Sequence, residues 1–243
     1  MAKRQKKKAR LVARGYEETS SDILTDSPTC SKESLRIILS IISSKNWDIN
    51  SFDIKAAFLQ GKPLDRDVYL KPPKEAKAVG KLWKLRQCVY GLNDASRYWY
   101  MRVREELIKL GCKCSKADPT VFYFYSNSLE GVLISHVDDF AWAGTENFTT
   151  SVIIKVKTIF KISAENSTVF RYLGIEIFQD GKGIYASQSK YISELKEIKI
   201  EASRKKNPEL RLNEKEKSEL RSIKLGSHTN STGSISLCIC VRF

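Results

Sequence analysis

Gly131-Val132-Leu133-Ile134-Ser135-His136-Val137-Asp138-Asp139-Phe140-Ala141-Trp142-Ala143-Gly144 decides how this chain is read, because two adjacent carboxylates interrupt an otherwise apolar, β-rich run. Strand patterns on both sides put the acid pair at the tip of a β-hairpin, with its side chains at the sheet edge and outside the core. Acids beside apolar strands cost burial energy unless something positive compensates them, and a divalent cation suits the pair. Asp is also a common turn former, so the doublet by itself reads first as an ordinary polar turn. A further carboxylate is needed to separate the two readings.

Asp53 supplies it. It stands near the end of the strand pattern Trp47-Asp48-Ile49-Asn50-Ser51-Phe52-Asp53-Ile54, which Lys55-Ala56-Ala57-Phe58 follows. Three acids from two neighbouring strands make an oxygen-rich site. Mg²⁺ favours such a site, because it takes a few carboxylates and completes its shell with waters and substrate phosphates. Two such ions about 4 Å apart serve phosphoryl transfer in many enzymes. That chemistry needs no side-chain nucleophile, and the sequence offers no Ser/His/Asp or Cys/His arrangement of that kind.

The surrounding pattern predicts an α+β fold. Residues 31–45 carry Leu35, Ile38, Leu39 and Ile42 at helical spacing, with Ser31 as N-cap and Glu33 in the first turn. Residues 95–110 form an amphipathic helix with Trp99, Val103, Leu107 and Leu110 on one face, ended by Gly111. Short strands are expected at 68–73, stopped by Pro72 and Pro73, and at 82–85. Strands at 120–125 and 131–137, with a return from Asp139, build the hairpin. Residues 149–160 read as helical and 170–178 as extended, with Asp180-Gly181 turning the chain into 183–187. The expected architecture is an antiparallel sheet with helices packed on one face, in one interleaved domain.

Composition sets the class of partner. The 243 residues are 42% hydrophobic, enough for a real core, and 42 Lys+Arg against 28 Asp+Glu give a net charge of +14. That balance favours polyanions such as nucleic acid, although a basic protein without a specific partner has the same composition. Lys3, Arg4, Lys6, Lys7, Lys8, Arg10 and Arg14 crowd the first fifteen residues, as in a phosphate-contact surface or a nuclear import signal. No secretory signal and no apolar run long enough to span a membrane is visible, so an intracellular location, cytoplasmic or nuclear, is expected. Cys30, Cys88, Cys112, Cys114, Cys238 and Cys240 then read as reduced thiols, and their two Cys-x-Cys pairs are too tightly spaced for the usual zinc pattern.

At this point the chain resembles the reverse transcriptases of Ty1/copia-type LTR retrotransposons, through several blocks in the family's order. Lys8-Ala9-Arg10-Leu11-Val12-Ala13-Arg14-Gly15 and Ser27-Pro28-Thr29 are similar to its first blocks. Phe52-Asp53-Ile54-Lys55-Ala56-Ala57-Phe58-Leu59-Gln60-Gly61 resembles its first catalytic motif, and His136-Val137-Asp138-Asp139 its acid-pair motif. Between them, Val89-Tyr90-Gly91-Leu92-Asn93-Asp94-Ala95-Ser96-Arg97-Tyr98-Trp99-Tyr100 resembles the block behind the incoming nucleotide. Tyr172-Leu173-Gly174-Ile175-Glu176-Ile177 and Gln188-Ser189-Lys190-Tyr191-Ile192 follow.

The resemblance implies an RNA-directed DNA polymerase that adds dNTPs to a primer 3′-hydroxyl by two-metal phosphoryl transfer. It implies two Mg²⁺, with Mn²⁺ as a substitute, held by Asp53, Asp138 and Asp139. Arg10, with Lys8 and Arg14, would grip the triphosphate, and Phe58 would be a steric gate against a ribose 2′-hydroxyl. Tyr90 and Gly91, with Leu92, would line the pocket under base and sugar, while Leu173 and Gly174 would position the primer end. Its partners would be an RNA template, a DNA or tRNA primer, dNTPs and the rest of a retrotransposon polyprotein.

The implied layout is a polymerase palm with partial fingers. Fingers would take about 1–46 and 62–95, palm about 47–61 and 96–192, and 193–243 would be a truncated thumb-like start and divergent tail. Two departures stand out: His136 occupies the place where the family commonly has Tyr, and Ser96 a place where many members have Pro. The resemblance ends near Arg221, and the first fingers strands are expected to be missing or shortened. A catalytically inactive retroelement remnant that at most binds nucleic acid is the competing expectation. A non-homologous two-metal nuclease would share the carboxylates but predicts none of the other blocks.

Overall fold

The computed structural model describes residues 11–18, 23–78, 80–194, 211, 213, 214, 217 and 239–241. In chain order the main elements are α1 (Lys32–Ser44), β1 (Asn50–Ile54), β2 (Tyr69–Leu70), β3 (Trp83–Lys84) and α2 (Ala95–Lys109). There follow β4 (Lys113–Cys114), β5 (Val121–Tyr125), β6 (Leu129–His136), β7 (Asp139–Gly144), α3 (Glu146–Phe148) and α4 (Ile154–Ile159), the last two joined by a π-helical turn. The chain goes on through β8 (Ile162–Ser167), β9 (Val169–Tyr172), β10 (Ile175–Asp180), β11 (Gly183–Ser187), α5 (Ser189–Glu194) and β12 (Ile239–Val241).

A six-stranded antiparallel sheet in the order β4-β5-β6-β7-β1-β8 is the centre of the fold. Its middle strand dictates how it must be covered. Val132, Leu133 and Ile134 of β6 are successive residues, so their side chains alternate between faces, yet each is at most 2% exposed. Both faces are therefore dry. On one face Phe52, Ile54, Phe122, Leu133, Phe140 and Trp142 pack against Trp99, Val103 and Leu107 of α2 and against Phe148, Val152, Ile153 and Val156. On the other, Val121, Val132, Ile134, Ala141 and Ala143 meet Leu35, Ile38, Leu39 and Ile42 of α1, together with Tyr172, Ile177 and Ile184 of a second sheet. Burying each large aliphatic side chain contributes about 1.5–3 kcal/mol.

The expectation of helices on one face is thus corrected. A continuous apolar run such as 132–134 needs cover on both sides, and α1 with the sheet β12-β11-β10-β9 provides the second layer. The 170–178 segment is likewise not one extended stretch. It folds back at Leu173-Gly174, where both residues have positive φ (51° and 75°) as a two-residue type I′ connection requires, and β9 pairs with β10.

The predicted helices form where their periodicity put them. Ser31 caps α1, its Oγ accepting from Ser34 N at 3.0 Å. Gly111 follows the end of α2 with φ of 91°. A satellite cluster beside the sheet joins Ala13, Val68, Cys88, Val89, Leu92 and Ala95. Cys30, Cys88, Cys112 and Cys114 carry free thiols, and burial pushes Cys88 and Cys112 up to about 12. Among the described residues no helix is long and apolar enough to cross a membrane.

One packing constraint ties the central hairpin to the helical layer. Gly131 and Gly144 face each other across β6 and β7, and the ring of fully buried Phe148 lies directly on them. A Cβ on Gly131 would stand 2.1 Å from that ring. Gly131→Ala is expected to lower unfolding free energy by about 1–3 kcal/mol in urea denaturation, because neither the ring nor the strand has room to yield. Gly181→Ala, where a Cβ meets nothing within 4 Å, should change it by less than about 0.5 kcal/mol.

Candidate active site

β6 and β7 remain paired as far as His136 opposite Asp139, which leaves Val137 and Asp138 as a two-residue turn. On the other side of β7, the register of β1 sets Asp53 opposite Asp139. Asp53, Asp138 and Asp139 are thereby brought to one end of the sheet. Their proximity shows in Asp139, whose side chain reaches solvent. Partial desolvation first, and then repulsion from Asp138 and Asp53, push its carboxyl up to about 6.

The turn is strained and held. Val137 has φ of 54°, and a β-branched residue in the left-handed region costs about 1–3 kcal/mol. Trp99 Nε1 donates to the Val137 carbonyl at 2.6 Å, and Ile54 N donates to the Asp138 carbonyl at 2.8 Å. Such bonds contribute about 1 kcal/mol each, and an acceptor left unsatisfied when buried costs more, so the two contacts are comparable with the strain.

Asp53 sits at a break in the β1–β8 ladder, where the register shifts between Asp53 and Ile54. There its Oδ2 accepts a hydrogen bond from the Ser163 hydroxyl. Sequence reasoning missed Ser163 because Ile162-Ser163-Ala164-Glu165-Asn166-Ser167 carries no strand pattern. It is the exposed edge strand, paired with β1 in the six-stranded sheet by its backbone. Among the described residues no group of three or more His, Cys, Asp or Glu side chains converges tightly enough to grip a metal ion. The three aspartates nonetheless offer only hard oxygen donors, and the desolvation and repulsion that lift Asp139 are both of the kind a cation relieves. The residues fit a divalent ion of the Mg²⁺ type.

Phe58 and Tyr90 form a second group. Phe58 lies in a 3₁₀ turn (Ala57–Gln60) just after β1, fixed by Lys161 N donating to Gln60 Oε1 at 2.9 Å. Its half-buried ring meets Tyr90 with centroids 4.9 Å apart. Gly91, at φ of 91°, has its missing side chain replaced by the chain itself, since a Cβ there would lie 2.0 Å from the Ala13 carbonyl. Ala13 N donates to Tyr90 O at 2.7 Å and Gly15 N to Gly91 O at 3.0 Å. Close approach at Gly91 is therefore to residues 13–15. Lys8 and Arg10 lie outside the described residues, and the exposed Arg14 pairs with Glu17 at 3.1 Å.

Leu173 and Gly174 form the β9–β10 turn. Tyr172, 1% exposed, anchors it by donating its hydroxyl to Ile134 O at 3.2 Å, two residues before His136. A buried ion pair that sequence reading missed supports the start of α2. Asp94, 1% exposed, stands at the N-cap of α2 without capping it by its side chain; its carboxylate accepts from Arg66 at 2.9 Å, and Arg66 also reaches Glu18.

Comparison with known proteins agrees with the blocks. The family profile for "Reverse transcriptase (RNA-dependent DNA polymerase)" matches residues 1–207. The chain is 31% identical over 194 residues to the Retrovirus-related Pol polyprotein from transposon RE1 of Arabidopsis thaliana, covering 77% of the chain and 13% of that protein. Against the Retrovirus-related Pol polyprotein from transposon TNT 1-94 of Nicotiana tabacum it is 29% identical, covering 78% of the chain and 15% of the relative. The Truncated transposon Ty1-A Gag-Pol polyprotein of Saccharomyces cerevisiae is 25% identical, with 77% and 16% covered. The chain thus spans about a seventh of the length of these relatives. No solved structure matches significantly.

Removing one of three mutually repelling carboxylates should relieve the fold. Asp139→Asn is expected to raise stability by about 1 kcal/mol in metal-free, low-salt buffer at pH 7.5, a figure discounted for solvent screening, with the gain shrinking as salt is added. Thermal melts of the two proteins across an ionic-strength series check this.

Proposed function

Because the chain belongs to the reverse transcriptase (RNA-dependent DNA polymerase) family, in the branch of Ty1/copia-type Pol polyproteins, we propose that it extends a primer 3′-hydroxyl with dNTPs on an RNA template. The observation that carries this reading is the register that sets Asp53 opposite Asp139 with Asp138 in the adjoining turn. Asp53 and Asp138 would hold two Mg²⁺ ions, with Asp139 as the third carboxylate. Bound there, the ions would activate the primer hydroxyl and stabilise the leaving pyrophosphate.

The remaining residues would hold and select substrate. Phe58, braced by Tyr90, would fill the space a ribose 2′-hydroxyl needs. Tyr90 and Gly91 would line the floor under base and sugar, and Arg10 would meet the phosphates. Leu173 and Gly174, on a turn anchored beneath β6, would orient the primer end. In this reading the six-stranded sheet is the palm and the satellite cluster around Val89 belongs to the fingers. Helix α1 packs on that sheet. Template, primer and the remainder of a polyprotein would be its partners, with an intracellular place of work.

A second reading, a catalytically inactive remnant that only binds nucleic acid, is favoured by the lack of a converged three-acid cluster among the described residues. Primer extension on an RNA template with Mg²⁺ and dNTPs separates the two. The wild-type chain should give product, and Asp138→Asn should lower the rate roughly 10³-fold or more. Product no greater than with that variant would leave only the binding reading. Phe58→Ala should raise ribonucleotide use relative to deoxynucleotide use by about tenfold or more, and an unchanged ratio would remove the gate role. Template-primer affinity should fall steeply with salt, since the +14 chain would contact phosphates.

A further inference from the structure

We propose that Trp99 is a positioning residue for the acid pair: its indole N–H tethers the Val137 carbonyl and so keeps the Val137-Asp138 turn in the one conformation that presents Asp138 and Asp139 beside Asp53. The inference rests on the polymerase reading of these acids and adds to it a residue outside the acid cluster. Trp99 touches neither substrate nor metal in this scheme and acts only through the turn.

The first ground is that the turn does not hold itself. A two-residue hairpin turn with positive φ is ordinarily built from Gly, Asn or Asp, and here Val137 occupies the left-handed position at φ of 54°. Something outside the turn must keep it there. The two carbonyls of the turn residues are held from different elements: Val137 O by Trp99 Nε1 at 2.6 Å, and Asp138 O by Ile54 N at 2.8 Å. Peptide planes on both sides of the Asp138 Cα are thereby fixed, and with them the direction of its side chain.

The second ground is that the donor is rigid. Trp99 is 1% exposed on α2 and meets the ring of Phe160 edge-on, with centroids 5.1 Å apart. Val103 and Leu107, from the same face, are locked into the same core. An indole so packed cannot follow the turn if the turn moves, so it acts as a fixed point.

The third ground is that packing cannot do what the hydrogen bond does. Val137 packs against the core cluster that holds Trp99, but such contacts are non-directional and fix no peptide plane, whereas the indole N–H fixes the Val137 carbonyl. A buried indole N–H must find an acceptor, and the one it finds here is the carbonyl of the strained residue of the acid-pair turn.

The test uses the full chain with Trp99→Phe, which keeps an aromatic ring and removes the N–H, and with Trp99 replaced by β-(3-benzothienyl)alanine, which keeps the shape of the indole and puts sulfur in place of the N–H. The second replacement decides if Phe fails to fold. Amide hydrogen exchange over 136–139 should rise at least tenfold, while Val103 and Leu107 on α2 stay unchanged. In primer extension, kcat should fall at least tenfold with KM for dNTP within about twofold. In a Val137→Gly background, where the left-handed conformation is free of strain, the same replacement should cost no more than threefold in kcat. Unchanged exchange over 136–139 overturns the tether. Exchange raised equally along α2 overturns it as well, since Trp99 would then be an ordinary core residue. A wild-type chain without polymerase activity counts against the catalytic reading alone, and the exchange measurement still decides the tether.

Discussion

The register of β6, β7 and β1 is the constraint on which the rest of the structure depends. Side chains alternate along a strand, so a slip of one residue would drive Phe140 and Trp142 from the α2 face into the α1 face, where Ala141 and Ala143 now pack, and would take Asp139 out of its place opposite Asp53. Glycines at both members of the Gly131–Gly144 pair admit the Phe148 ring at one end of the hairpin, and the two-residue turn closes the other end. With both ends fixed, Asp139 has one place to stand, and β1, paired through Asn50–Trp142, Ser51–Ala141, Phe52–Phe140 and Asp53–Asp139, brings the remaining acid to it. The stacked rings of Phe52 and Phe140, 5.0 Å apart, reinforce this pairing one step below the acids.

What could be read in the sequence follows from how local the physics is. The helices at 32–44 and 95–109 were legible because a 3.6-residue period of Leu, Ile, Val and Trp is visible within each segment, and Ser31 caps the first by a contact three residues away. The hairpin tip was legible because strands and turn are contiguous. The layer formed by α1 and the second sheet was not, since nothing near Val132 states what will cover it. Strand β8 was hidden for a related reason: its residues are exposed or half-buried, and its backbone pairing with β1 leaves no hydrophobic pattern.

The same distinction runs through the candidate site. Asp53, Asp138 and Asp139 could be named from their strand context, but the donors around them could not, because Ser163 reaches Asp53 from 110 residues away and Trp99 reaches Val137 from 38. Tyr90 and Gly91 were singled out by the resemblance alone. The reason for the glycine was not legible, since the carbonyl that fills the place of its Cβ belongs to Ala13. Asp94 shows the limit of local reading: it stands at the N-cap of α2, and its buried carboxylate is spent on Arg66, 28 residues away.

The electrostatics of the proposed reaction pull in two directions, and the fold keeps them apart. A net charge of +14 draws a polyanion, whereas three carboxylates at the end of the sheet repel any phosphate brought to them. The partial desolvation and the repulsion that raise Asp139 are themselves destabilising, and so is the left-handed Val137 beside it. Both costs fall within a few residues, on the end of a sheet that is packed on both faces just behind them. Strain of this size persists only where surrounding structure over-determines the geometry, and here Ile54, Trp99 and the β6–β7 pairing do so from three directions. A turn of glycines would relieve the strain of the same peptide but would leave it freer to move, so the strained valine and its tether are better understood together as the means of fixing two like charges at the end of one sheet.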